Sequence, residues 1–125
     1  MKINPLIEIE DLNGTPLKKS VMKVNKEGKM VPVETDENFR LKDALINSLY
    51  GQYEDEKFLS GEEKMKRYFL AEKIWKVQGE IDLSAEEITL LKRLVAAAYN
   101  ILIVGRVYEL IDPIEQEKNK QLLQE

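Results

Sequence analysis

The chain has 125 residues, with 19 bases against 23 acids for a net charge of −4, and neither histidine nor cysteine. Cysteine–histidine zinc sites, Ser–His–Asp and Cys–His nucleophiles and histidine acid–base chemistry are thereby excluded together, which leaves carboxylates, Lys, Tyr, Ser and Thr. The length suits one domain with a real core, and 43% apolar with 34% charged residues suits a soluble globular chain whose acidic balance disfavours general polyanion binding.

No apolar run approaches the roughly 20 residues that a membrane helix needs. The opening MKINPLIEIE reaches acidic residues too soon for a signal peptide. The lack of cysteine fits a reducing compartment, so a cytoplasmic location is expected.

Residues 1–38 read as a small β region, an arm ahead of the helices. Leu6-Ile7-Glu8-Ile9-Glu10 partly alternates, Asp11-Leu12-Asn13-Gly14 carries a turn signal, and Val21-Met22-Lys23-Val24 follows. A second turn at Asn25–Lys29 leads to Met30-Val31-Pro32-Val33, where Pro32 restricts the strand to an edge. Two or three short strands in a hairpin or meander are expected, and so small a sheet needs a helix to pack on.

Four helices are read from spacing and caps. The first covers Leu41–Tyr50, with Leu41, Ala44, Leu45 and Leu49 on one face, Asn38 as a candidate cap in place of Arg40, and Gly51 as its stop. After the linker 52–59, Ser60-Gly61-Glu62-Glu63 has the form of a capping box and opens a helix to about Gln78, stopped by Gly79. Its inner face is read as Arg67, Leu70, Ala71, Ile74, Trp75 and Val77. Ser84 and Glu87 form a second capping box before Ile88, Leu91, Val95 and Ala98 at helical spacing. The run 101–104 is apolar all round, and Val104, Val107, Tyr108 and Ile111 extend it as a second helix, about Ile101–Ile111, after a break near Asn100, so that 84–111 reads as a buried helical hairpin or a kinked helix. Pro113 closes that helix, and the tail 114–125 reads as polar, frayed or disordered.

Each candidate site has a plainer reading beside it. Glu54-Asp55-Glu56 offers oxygen ligands to a divalent cation but lacks the ligand spacing of a calcium loop, so it reads as a solvated acidic linker. Glu62, Glu63, Glu86 and Glu87 supply carboxylate pairs, yet their place in first helical turns already accounts for them. Lys64, Lys66, Arg67, Lys73 and Lys76 would suit phosphates if helices 60–78 and 84–98 formed a helix-turn-helix; intervening acids weaken that reading. Tyr50, Tyr53, Tyr68, Trp75, Tyr99 and Tyr108 read first as core and core edge. Tyr53, Tyr68, Trp75, Tyr99 and Tyr108 are the candidate partner-binding residues, because aromatic anchors dominate such surfaces.

The segments LKDALINSLYGQYEDEKFLSGEEKMKRYFLAEKI and IDLSAEEITLLKRLVAAAYNILIVGRVYELI resemble a group of small proteins encoded in bacteriophage and prophage genomes. The resemblance lies in the order of an LxDAL helix, an acidic linker, an SGEEKxxR helix, an LSAEEI helix and a VGxVYxL ending. It implies a phage-encoded protein made in the cytoplasm of the bacterial host, from the virion-assembly gene block, with no reaction to carry over.

The expectation is a mostly α chain with a small β N-terminal region (α+β): a compact bundle of three to four helices over 39–112, after the arm 1–38 and before the tail 113–125. The expected function is a non-enzymatic interaction or assembly factor for phage tail or head morphogenesis, virion-associated and without cofactor or metal. Its partners would be other phage proteins, together with a homodimer or higher homo-oligomer suggested by the broad apolar helix faces, and no membrane. The alternative is a small phage regulator that binds nucleic acid or a host regulatory protein, with nucleic acid disfavoured by charge. An enzyme using carboxylates and lysine alone stands third.

Overall fold

The computed structural model describes residues 1–112; the polar tail read at 113–125 lies outside them. Among the described residues the chain forms four helices and two small antiparallel sheets, an α+β arrangement. The order is β1 (Lys2–Ile3), β2 (Lys18–Val24), β3 (Met30–Asn38), α1 (Leu41–Tyr50), α2 (Gly61–Lys76), β4 (Ile81–Asp82), α3 (Ala85–Ala98) and α4 (Ile101–Ile111). A single 3-10 turn at Glu54–Glu56 lies between α1 and α2.

Helix α1 is the hub, packing against α2, α3 and α4. Its stripe of Leu41, Ala44, Leu45, Ser48 and Leu49 is buried, as apolar spacing of 3 and 4 requires. It meets Leu70, Ala71 and Ile74 of α2, Leu91, Leu94 and Val95 of α3, and Val107 and Ile111 of α4 in one core. Each buried Leu, Ile or Val among them contributes roughly 1.5–3 kcal/mol by leaving water, an upper figure because unfolded chains bury some surface already.

The caps explain where helices begin. At α3 the Ser84 hydroxyl accepts from the Glu87 N–H at 3.1 Å and Glu87 accepts from the Ser84 N–H at 2.8 Å, the full reciprocal box. At α2 the Ser60 hydroxyl accepts from the Glu63 N–H, while the Glu63 carboxylate lies 3.8 Å from Arg67 Nε. The start of α1 departs from expectation. Asn38 does not cap it, since its side chain is held between Glu8 and Lys18. Instead Asp43 reaches back and accepts from the Arg40 N–H at 2.9 Å. Helix α2 stops at Lys76 with Val77 extended, ahead of Gln78 and Gly79. Asn100 both breaks and restarts the chain: its side chain accepts from the Ile103 N–H and caps α4. The run 101–104 is not buried all round, for Ile101 is 93% exposed; the inner side of α4 is carried by Val107 and Ile111.

Residues 6–10 form no continuous strand, only isolated bridges Glu8↔Arg40 and Glu10↔Pro16. The physical reason is a change of partner at Ile9, whose N–H donates to the Phe39 carbonyl while its carbonyl accepts from the Leu17 N–H; its side chain is in the core at 1% exposure. The chain start is also packed with the helices. β1 pairs with β4 through Lys2↔Asp82 and Ile3↔Ile81, and the Met1 ammonium sits 3.0 Å from an Asp82 carboxylate oxygen. Ile3 joins the core. The hairpin β2–β3 stands out from this base, its strands paired mainly with each other and turned at Gly28, whose φ of +80° favours glycine. Among the described residues no helix is long and apolar enough to cross a membrane.

Candidate functional site

Helix α2 carries two apolar faces. At about 100° per residue, Arg67, Leu70, Ala71 and Ile74 fall on one arc, and these are the residues it buries. Met65, Tyr68, Phe69 and Trp75 fall on a second arc of about 120°, roughly opposite the first. That second face looks outward: Met65, Tyr68 and Phe69 are about half exposed, and Trp75 is 62% exposed. Trp75 therefore does not belong to the inner face where the spacing had placed it. Its ring leans towards α1, with Lys42 Nζ 4.6 Å from the ring centroid. Tyr68 and Phe69 meet edge to face at 5.8 Å. Phe58, in the loop before α2, is 96% exposed. Exposed apolar side chains scattered singly need no explanation, but four large ones on one helix face do.

One end of this face opens on a cleft of about 660 Å³ between the end of α1 and α2, lined in part by Tyr50, Tyr53, Glu56, Lys64, Arg67 and Tyr68. Its floor is an ion cluster. The Arg67 guanidinium, 4% exposed, makes a two-pronged pair with the Glu56 carboxylate, 11% exposed, and Arg93 Nη1 approaches the same carboxylate at 3.2 Å. The hydrogen bonds from Arg67, opposed by burial and reinforced by Arg93, hold the Glu56 carboxyl down at about 2. Glu56 is thus not part of a solvated acidic linker: it ties the 3-10 turn to α2 and α3. Tyr53 closes the adjoining corner. Its hydroxyl donates to the Ser48 carbonyl at 2.6 Å, and burial pushes its phenol up. Gly51 permits this, because a Cβ there would lie 2.7 Å from the Tyr53 hydroxyl oxygen; close approach rather than a left-handed stop is its role.

The aromatic residues singled out by sequence separate into two groups. Tyr53 and Tyr68 line the same cleft, and Trp75 lies two turns along α2 from Tyr68. Tyr99 packs on Phe39 with centroids 5.9 Å apart, and burial raises its phenol. Tyr108 donates to the Lys92 carbonyl at 3.0 Å, with Lys92 over its ring. Those two join elements of the fold. Sequence reading did not select Met65, Phe69 or Phe58. A signal was present: α2 holds more large apolar residues than one buried stripe can take, so the surplus had to face water.

The basic residues of α2 do not make a common free face. Arg67 is spent on Glu56, Lys73 lies 3.6 Å from Glu87, and Lys76 lies 3.1 Å from Glu72. Residues 77–84, including β4, separate α2 from α3, longer than the three-to-four-residue turn of a helix-turn-helix. Among the described residues, no group of three Asp, Glu, His or Cys is placed to hold a metal ion.

Comparison of the chain with protein-family models, with curated proteins and with solved structures finds no match.

What the geometry displays is a surface with a cleft beside it. A rigid helix displays two aromatic rings, a methionine and an indole, and a cleft with fixed charges adjoins it. Aromatic and methionine side chains supply large contact area at low ordering cost.

Proposed function

We propose that the chain is a non-enzymatic interaction protein that docks another protein on the outer face of α2. The observation that carries this reading is the outward arc of Met65, Tyr68, Phe69 and Trp75, whose exposure in water is otherwise unrewarded. The resemblance of the helical segments to phage-encoded proteins supplies the setting: an assembly factor of tail or head morphogenesis, made in the cytoplasm of a bacterial host, with other phage proteins as partners. The regulator that binds nucleic acid is less well supported, because three of the five α2 cations, Arg67, Lys73 and Lys76, face carboxylates within the chain. Capture with the tagged chain from cells carrying an induced prophage is expected to recover virion or assembly proteins. Recovery of none, together with unchanged phage yield when the gene is deleted, overturns the proposal.

A further inference from the structure

Both strands of a two-stranded sheet have an outer edge, and in β2–β3 the two edges are unequal. The Asn25 N–H donates to the Lys29 carbonyl at 2.8 Å, so this pair faces inward. Antiparallel pairs alternate between inward- and outward-facing backbone groups. With Lys23↔Val31, Met22↔Pro32 and Val21↔Val33 in register, the pairs 23/31 and 21/33 face inward, and 24/30, 22/32 and 20/34 face outward. The N–H that Pro32 lacks is therefore missing from the outer edge of β3. Glu34, Asp36 and Glu37 follow it with no base between them. Such an edge is closed to another strand. The edge of β2 is intact, with an N–H and a carbonyl at each of Ser20, Met22 and Val24; a register shift between Lys18 and Ser20 marks its limit.

The side chains along that edge define what fits. Met22 and Val24, more than half exposed, share a face with Met30 and Pro32. Lys23 is on the other face, and Lys26 and Lys29 stand at the tip with Glu27 as the acid among them. Lys18 and Lys19 are held at the base by Asn38, Glu37 and Asp43.

We propose that the β2 edge accepts an extended acidic segment of a partner protein as a third strand. Its backbone bonds Ser20, Met22 and Val24, its apolar side chains cover Met22 and Val24, and its carboxylates face Lys23 and the tip lysines. A second copy of this chain fits less well. Another β2 would bring apolar side chains but lysines where carboxylates are wanted, and the alternating Leu6–Glu10 segment is committed, with Ile9 in the core. The inference rests on the reading of an interaction protein but uses a surface other than α2, so the two can fail separately.

The test titrates the full chain into a fluorescein-labelled heptapeptide, Glu-Val-Glu-Ile-Glu-Val-Glu, followed by anisotropy and by amide exchange. Salt-sensitive binding is expected, with new protection at Ser20, Met22 and Val24. Met22→Pro removes an outward N–H together with the Met22 side chain but no inward hydrogen bond, and is expected to weaken binding at least tenfold; retained protection at Lys23, Val31 and Val33 verifies the hairpin. Lys23→Glu is expected to weaken binding several-fold, and Phe69→Glu with Trp75→Glu to leave it unchanged. Absence of binding, equal binding of a peptide with lysine for every glutamate, or protection elsewhere overturns the proposal. So does a dimer of the free chain that Met22→Pro abolishes, which assigns the edge to a second copy.

Discussion

Glu56→Gln isolates the ion cluster beneath the cleft. The substitution keeps the shape of the side chain but leaves the Arg67 guanidinium, 4% exposed, without its charge partner. Breaking a fully buried pair from one side costs about 3–5 kcal/mol. Here the cleft admits water on one side and Glu63 stands 3.8 Å from Arg67 Nε, so about 2 kcal/mol is expected. The lowered pKa of Glu56 leads to a similar figure. A drop from 4.5 to about 2 is 2.5 pH units, or about 3 kcal/mol before screening is discounted. Because the folded carboxyl is the stronger acid, its contribution is complete above about pH 4.5 and fades as pH falls towards 2. Urea melts followed by far-ultraviolet circular dichroism are the assay. With a slope of about 1.5 kcal/mol per molar urea, the midpoint at neutral pH falls by more than about 1 M. Wild type and variant converge as the acid limit is approached. A loss under about 0.5 kcal/mol, with parallel acid profiles for the two proteins, refutes the reasoning.

Four further outcomes follow from the caps, the close packing and the exposed face of α2. Asn100→Ala removes the acceptor for the Ile103 N–H and costs about 1 kcal/mol by urea melts, whereas Asn100→Gly costs a few tenths. Gly51→Ala drives a methyl into the Tyr53 ring and lowers the melting temperature; in the background of Tyr53→Ala the same change costs much less, the non-additivity of touching residues. Leu91→Ala, at a wholly buried position, costs about 2–5 kcal/mol, while Met65→Ala on the outer face of α2 stays within about 0.5 kcal/mol. Trp75, the one tryptophan, is quenched by acrylamide in the native chain nearly as fast as in urea; a protected, blue-shifted indole contradicts its placement.

The helices were legible because their signals are local. Ser84 with Glu87 fixes a start from four residues of sequence, and Leu41, Ala44, Leu45 and Leu49 declare a face by spacing alone. What escaped depends on distant partners. Nothing near Lys2–Ile3 announces β4, some eighty residues on, and nothing in Leu6–Glu10 says that the backbone switches partner at Ile9, from Phe39 to Leu17. Asp43 as the cap of α1 was hidden by the unusual Arg40, because the reciprocal half of a cap works through backbone and needs no hydroxyl ahead of it. The candidate site was half legible. Tyr68 and Trp75 were selected as aromatic anchors, yet Trp75 was assigned to the buried face because i+3 and i+4 spacing runs on both sides of a helix with surplus apolar residues. Glu56 read as solvated because its partners, Arg67 and Arg93, come from two other helices.

The central claim is that the outward face of α2 is a docking surface. Its most direct test is parallel capture from induced cells with the wild-type chain and with the Phe69→Glu, Trp75→Glu double variant, quantified by mass spectrometry. Urea melts first establish that the two chains are equally stable. The expected result is that virion or assembly proteins recovered by the wild type are lost with the variant. Equal recovery of the same proteins by both chains contradicts the account.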